Sequence, residues 1–489
     1  MILTKKGQFP LTYFFAILIA FILGNLLMNR PILFSLFFIT CIGGYYFFTD
    51  RTDVLFLMLT GMILFIPWQK PAFEGGWGIP SGKILDIPIP VTVVIMGFFA
   101  FAFILRTLFK KELRSRRKIP LFNFFLFYLI IGLISSVLNV NSGQNLWFLF
   151  FQFLIPVFFI FYGSYFACKN RNEFLYIISG LILFISAIGL YAIFEFLTKS
   201  NPVETFFAPY FPGRWSPFSY VEGINQYCRV AATLGNSTFL GSTLVAGICL
   251  ALGFFSYSKT LFKKFAFFCS ILINFIALGL SANRGGILGL IIAILVFSIL
   301  IGKKKFKEIL LYVFLPVLLI TLCFIWSFAL VFLEPRFSLE NVLGSSSFQH
   351  RINAYYITVN FLRHNPLFGM GFANFEEMYY KITTPFIMQI PTMDNMFLAI
   401  LSFTGILGLI SFASILLSLF GKITIMLKKL AGSEFFLIYT SLFCGLIALL
   451  VSFMFYDAIG HLAVSFMFWS LAGIGITVFE DPESFKNID

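Results

Sequence analysis

Most groups in this chain that could carry chemistry fall in one polar stretch, residues 332–394. It holds His350, Arg351, Arg363, His364, Glu376, Glu377, Lys381 and Asp394. Arginine offers a planar fork of donors that fits phosphate oxygens, and a carboxylate or imidazole beside a hydroxyl acts as a general base. Asp394 opens the apolar segment DNMFLAILSFTGILGL. There its carboxylate serves either as a helix N-cap or as the base that deprotonates an acceptor hydroxyl. His350 and His364 compete for the base's role because imidazole titrates near neutral pH. Asp457 and His461, in a later short turn, are weaker candidates.

Arg284 stands in SANRGGILGL, between two apolar segments joined by almost no loop. An arginine at that depth is costly unless it is paired or lines a wet cavity. Gly285 and Gly286 permit close backbone approach, and the helix beginning there adds its positive dipole end. The alternative is an arginine whose stem snorkels to the headgroups. Arg229 precedes the segment GNSTFLGSTL, and Arg214 lies in the loop Thr198–Gly235 with Trp215, Glu222 and Tyr227. Arg229, Arg284, Arg351 and Arg363 converging at one membrane face would make a pyrophosphate site, whereas each alone is a solvated loop charge. No HExxH cluster, GxSxG elbow, GxxxxGK[ST] loop or dinucleotide fingerprint occurs, so no metal or cofactor is expected. The seven cysteines are scattered and imply no disulfide framework.

The elements that must position these groups are membrane helices. The chain is 60% hydrophobic and 11% charged, with a mean hydropathy of +0.95. Apolar runs of about 20 residues match the hydrocarbon thickness, which predicts an all-α polytopic membrane protein. About fourteen spans (12–14) are expected, near 10–28, 31–48, 53–67, 91–108, 120–138, 147–167, 174–197, 236–257, 266–281, 286–302, 309–331, 395–421, 434–455 and 460–479. Residues 1–489 read as one integral domain with one long periplasmic loop, 332–394. Within that loop, Ile352, Tyr355, Tyr356, Val359 and Leu362 recur at helical spacing after the serine run 345–347. A helix over about 347–362 with an apolar stripe is expected, ended by the breaker HNPLFGMGF.

The net charge of +13 is a topology signal. With both termini cytoplasmic, 23 of the 34 basic residues fall inside, while acidic residues divide almost evenly. A nucleic-acid site is therefore not expected. No nucleotide sugar is present outside a bacterial cytoplasmic membrane, so a transferase working there needs a preactivated donor. A lipid-diphosphate sugar meets that need, and arginines stabilise the departing diphosphate.

At these residues the chain resembles the O-antigen ligase and O-antigen polymerase superfamily of bacterial envelope proteins. RVAATLGNSTFLGSTL looks like that family's segment entering a span, and SANRGGILGL is similar to its serine-x-x-arginine-glycine element. HRINAYYITVNFLRHNPLFGMGFANF resembles its loop helix, which places Arg351 at the matching arginine. DNMFLAILSFTGILGLISF looks like the segment that normally begins histidine-asparagine, so Asp394 stands where many ligases carry a histidine. The likeness covers about residues 229–421. It implies a metal-independent glycosyltransferase in the inner membrane that moves a glycan from undecaprenyl diphosphate to an acceptor hydroxyl. The acceptor would be lipid A–core, a second lipid-linked glycan or a protein. Arg284 would bind the diphosphate with Arg229 and Arg351 assisting, and Asp394 would take the acceptor's proton. The alternative is a flippase or other transporter of lipid-linked oligosaccharide, but such proteins usually lack a long outer loop.

Overall fold

The computed structural model describes residues 119–139, 160–207, 219–321, 346–371, 395–458 and 462–480, apart from 169, 222 and 223, with scattered positions in 53–64 and 145–157 and at 482 and 485. Among the described residues the regular elements are helices and one small hairpin. In chain order the helices are α1 (Phe122–Leu138), α2 (Tyr162–Ala167), α3 (Arg171–Thr198) and α4 (Pro202–Phe207). The hairpin follows, β1 (Ser219–Val221) against β2 (Ile224–Arg229), antiparallel, with Ser219 opposite Arg229. Then come α5 (Ser237–Tyr257), α6 (Leu261–Ser281), α7 (Arg284–Ile301), α8 (Lys303–Ile309), α9 (Ser346–His364), α10 (Met396–Leu430), α11 (Phe435–Ser452) and α12 (Leu462–Glu480). Among the described residues α3, α5, α6, α7, α10 and α11 are long and apolar enough to cross a membrane. Phe122–Leu138 and Val464–Glu480 are shorter apolar helices. The expected spans at 10–28, 31–48 and 91–108 lie outside the described residues.

α5 is the hub of the bundle. It packs against α11, α6, α7 and α3, and 83% of its apolar window is buried, against 33% for α6 and for α7. Small residues make that closeness possible: a side chain on Gly241 would run into Asn283. Asparagines start three of these helices. The side-chain oxygens of Asn170, Asn236 and Asn395 accept from the N–H groups of Glu173, Thr238 and both Phe397 and Leu398. Each such cap contributes about 1 kcal/mol.

The expected 395–421 span forms within α10, which is interrupted at Gly405 (φ 68°, ψ −168°). The polar loop fills the break. Met370 and Gly371 donate to the carbonyls of Ser402 and Phe403, and Ile406 and Leu407 donate to those of Pro366 and Leu367. Ser135 adds a 2.6 Å bond to the Phe403 carbonyl, and Asn139 holds the Gly369 carbonyl at 3.1 Å. The PLFGMG turn is thus more than a breaker: it supplies the partners that an interrupted helix in an apolar setting requires. α9 forms where a helix was expected, and its apolar stripe faces outward. Ile352, Tyr355, Tyr356 and Val359 are exposed, and the face that docks on α10 is Ala354, Ile357, Thr358 and Phe361. The Thr358 and Ser402 hydroxyls share a 3.0 Å hydrogen bond across that contact.

Candidate functional site

The termini of six elements meet at one end of the bundle. α6 ends at Ser281, and after Ala282 and Asn283 the chain re-enters as α7 with Arg284 as its first residue. Asn283 donates to the Thr238 carbonyl at 2.8 Å, which fixes this turn to the first turn of α5. Arg229, the last residue of β2, donates from Nε to the Ser281 carbonyl at 3.0 Å. Arg229 is therefore anchored three residues before Arg284.

From the other side comes the turn that follows α11. Phe455 lies so close to the start of α7 that a Cβ on Gly285 would approach its ring to 2.9 Å. The guanidinium of Arg351, on the first half of α9, lies over the same ring at 5.7 Å from its centre, within cation–π range. Arg284 and Arg351 are within reach of each other's charge. Two guanidinium groups within reach of each other's charge repel one another, and an anion between them converts that repulsion into attraction. The N-terminus of α7, with its positive dipole end, adds to the same field.

The start of α10 joins this assembly as well, since the Met396 N–H donates to the Phe453 carbonyl at 2.9 Å. The residue that caps α10 is Asn395. The capping role weighed for Asp394 therefore belongs to its neighbour; Asp394 itself lies outside the described residues. Arg214 and His461 are outside them too, as are Glu376, Glu377 and Lys381. His350 is on α9, one residue before Arg351. Arg363 and His364 sit exposed in the last turn of α9. Twelve residues of helix put Arg363 about 18 Å along the axis from Arg351. The structure thus groups Arg229, Arg284 and Arg351 and sets Arg363 apart. Asp457, two residues past Phe455, lies within electrostatic reach of the buried tyrosines Tyr128 and Tyr456.

Sequence reasoning passed over two contributors. Phe455 carries no chemical signal of its own, because it is one of 71 phenylalanines. Glu195 left a visible one, a carboxylate inside the apolar run LYAIFEFL. It is 2% exposed and accepts from the N–H groups of Ala231 (3.2 Å) and Ala232 (2.7 Å), just beyond Arg229.

No curated protein matches the chain significantly. A family model does match, over less than half of the length: the matched segment runs from within α6 to within α10, so it contains Arg284, Arg351 and Asp394 but not Arg229. That model, described as O-antigen ligase and matched by residues 265–413, supports placing the chain in the O-antigen ligase and polymerase superfamily.

Proposed function

We propose that this protein is a glycosyltransferase of the bacterial cytoplasmic membrane that moves a glycan from undecaprenyl diphosphate to an acceptor hydroxyl at the outer face. The observation that carries this reading is that Arg284, at the N-terminus of α7, and Arg351, over the Phe455 ring packed beside Gly285, lie within reach of each other's charge. Such a group offers what a diphosphate leaving group needs: fixed positive charge where negative charge grows as the glycosidic bond breaks. Arg229, tied to the end of α6, adds a third guanidinium to the same end. Asp394 is assigned to take the proton of the attacking hydroxyl, with His350 as the competing base. The reaction then needs no metal: the arginines neutralise the diphosphate and the carboxylate activates the acceptor.

The opposite end of the bundle supports the orientation. It collects Arg171, Lys259, Lys422, Lys428 and Lys429, with Lys259 and Lys422 paired to Glu434 and Glu480 at 2.7 Å. By the positive-inside rule that end faces the cytoplasm. The arginine site, the 332–394 loop and α9 are then outside, both termini are inside, and the full chain has about fourteen spans. Lipid A–core, a second lipid-linked glycan or a protein serves as acceptor.

Deleting the gene and resolving envelope polysaccharide on a gel tests this reading. Single repeat units still attached to core identify a polymerase. Bare core with lipid-linked polymer accumulating identifies a ligase. An unchanged ladder, with no lipid-linked intermediate accumulating, refutes the transferase role.

A further inference from the structure

We propose that Glu195, with Asn201 and Tyr191, is the positioning device for Arg229; this inference rests on the donor-binding role assigned to Arg229 above. The three side chains form one connected network at the end of α3. Glu195 and Asn201 are 2% and 1% exposed. One carboxylate oxygen, Oε2, accepts from the backbone N–H groups of Ala231 and Ala232, and the other accepts from Asn201 Nδ2 at 3.2 Å. Asn201 Nδ2 also donates to the Ala232 carbonyl at 2.9 Å. Its Oδ1 accepts from the Tyr191 hydroxyl at 2.7 Å, and that hydroxyl accepts from the Val203 N–H at 3.0 Å.

The network holds an unusual backbone. Ala232 has φ of 51°, in the left-handed region that an alanine avoids. Two consecutive N–H groups turned toward one carboxylate oxygen stabilise that conformation, and the carboxylate comes from a different helix. Arg229 is two residues upstream of the first of these N–H groups. The clamp therefore fixes where β2 ends and lets the Arg229 Nε reach the Ser281 carbonyl beside Arg284.

The polarity of the network explains why a carboxylate occupies this position. Both backbone N–H groups and the Asn201 amide only donate, and Asn201 is fixed in that sense because its oxygen receives the tyrosine proton. A carboxylate accepts all three. A glutamine would accept the two backbone bonds but turn an NH₂ group toward the NH₂ of Asn201.

Full-length protein purified in detergent, with undecaprenyl diphosphate as the binding probe, tests the proposal through a double-mutant cycle. R229A is expected to weaken binding about tenfold and E195Q about three- to tenfold, with unchanged elution profile and melting temperature within a few degrees (order-of-magnitude expectations for lost charge-assisted contacts). In the R229A background, E195Q should cost no more than about twofold further, because the group it positions is gone. Y191F, at the edge of the network, should show the same coupling with a smaller loss, and it carries the cycle if E195Q does not yield folded protein. If E195Q binds as wild type while R229A does not, or if E195Q costs the same factor in both backgrounds, the positioning role is overturned and the donor-binding reading stands. If R229A itself binds the probe as wild type, Arg229 has no part in donor binding and this inference falls with it.

Discussion

At the scale of single residues the site depends on charge in a fixed geometry. Arg284 is the first residue of its helix, within reach of the charge of Arg351, which lies over the Phe455 ring. Its replacement by alanine should reduce transfer about 10²–10³-fold, the range for losing one preorganised donor at a developing negative charge. R284K should recover only part of this, since an ammonium lacks the planar fork that meets two phosphate oxygens. Initial rates in membranes matched for protein level would check both; full rate for R284A would remove Arg284 from the chemistry. The base can be separated by substitution: D394N should abolish transfer and H350Q leave it near the wild-type rate if the carboxylate takes the proton, and the reverse pattern would give that role to the imidazole. Arg284 was legible in the sequence because an arginine flanked by two apolar segments and followed by two glycines is improbable as plain lipid-facing surface. Phe455 was not, since its role comes from a contact with a glycine about 170 positions away in the chain.

At the scale of elements the decisive feature is the interruption of α10. Gly405 has the φ of a left-handed residue, and a Cβ there would press into the backbone of Leu367. G405A should therefore both strain the backbone and displace the PLFGMG turn. A loss of about 2–4 kcal/mol is expected, in the range of strain and overpacking costs combined. A thermal melt of purified protein should show it as a lower midpoint, and an unshifted midpoint would mean that the break is not needed. The sequence GILGL reads as ordinary span, because a helix break is stable only when another segment supplies its hydrogen bonds. That segment is about 35 residues earlier. The face by which α9 docks on α10 is not the one its apolar stripe marks. Apolar periodicity finds a buried face only where water is the alternative, and beside a membrane the larger apolar side chains need not face protein. The small and hydroxyl residues Ala354 and Thr358 make the close contact instead. The helix itself was legible, to within one residue at its start and two at its end.

At the scale of the whole molecule, hydropathy located the helices well because lipid demands long apolar runs whose backbone bonds are internal. α1, α5, α7 and α11 begin and end within about three residues of the spans read from sequence. What hydropathy alone does not give is the arrangement: that α5 is central, and that the chain ends at 229, 281, 351, 396 and 455 share one end. The asymmetry of basic residues predicts the orientation, with the Lys259 end cytoplasmic. Single cysteines introduced at 364 and at 259, both exposed, in a background with the native cysteines replaced, should label differently in intact spheroplasts. A membrane-impermeant maleimide should reach position 364 in intact spheroplasts and position 259 only after lysis. Labelling of position 259 in intact cells would invert the topology and put the arginine site on the wrong face for a lipid-linked donor.

The most direct measurement is reconstituted transfer. Purified protein in liposomes, supplied with lipid-linked glycan isolated from a strain lacking the gene and with that strain's lipid A–core as acceptor, should release undecaprenyl diphosphate and lengthen or glycosylate an acceptor in the presence of EDTA. R284A in the same liposomes should leave the donor intact. Donor untouched by the wild-type protein, or consumed equally by R284A, would contradict the assignment of this arginine site to glycosyl transfer from a lipid diphosphate.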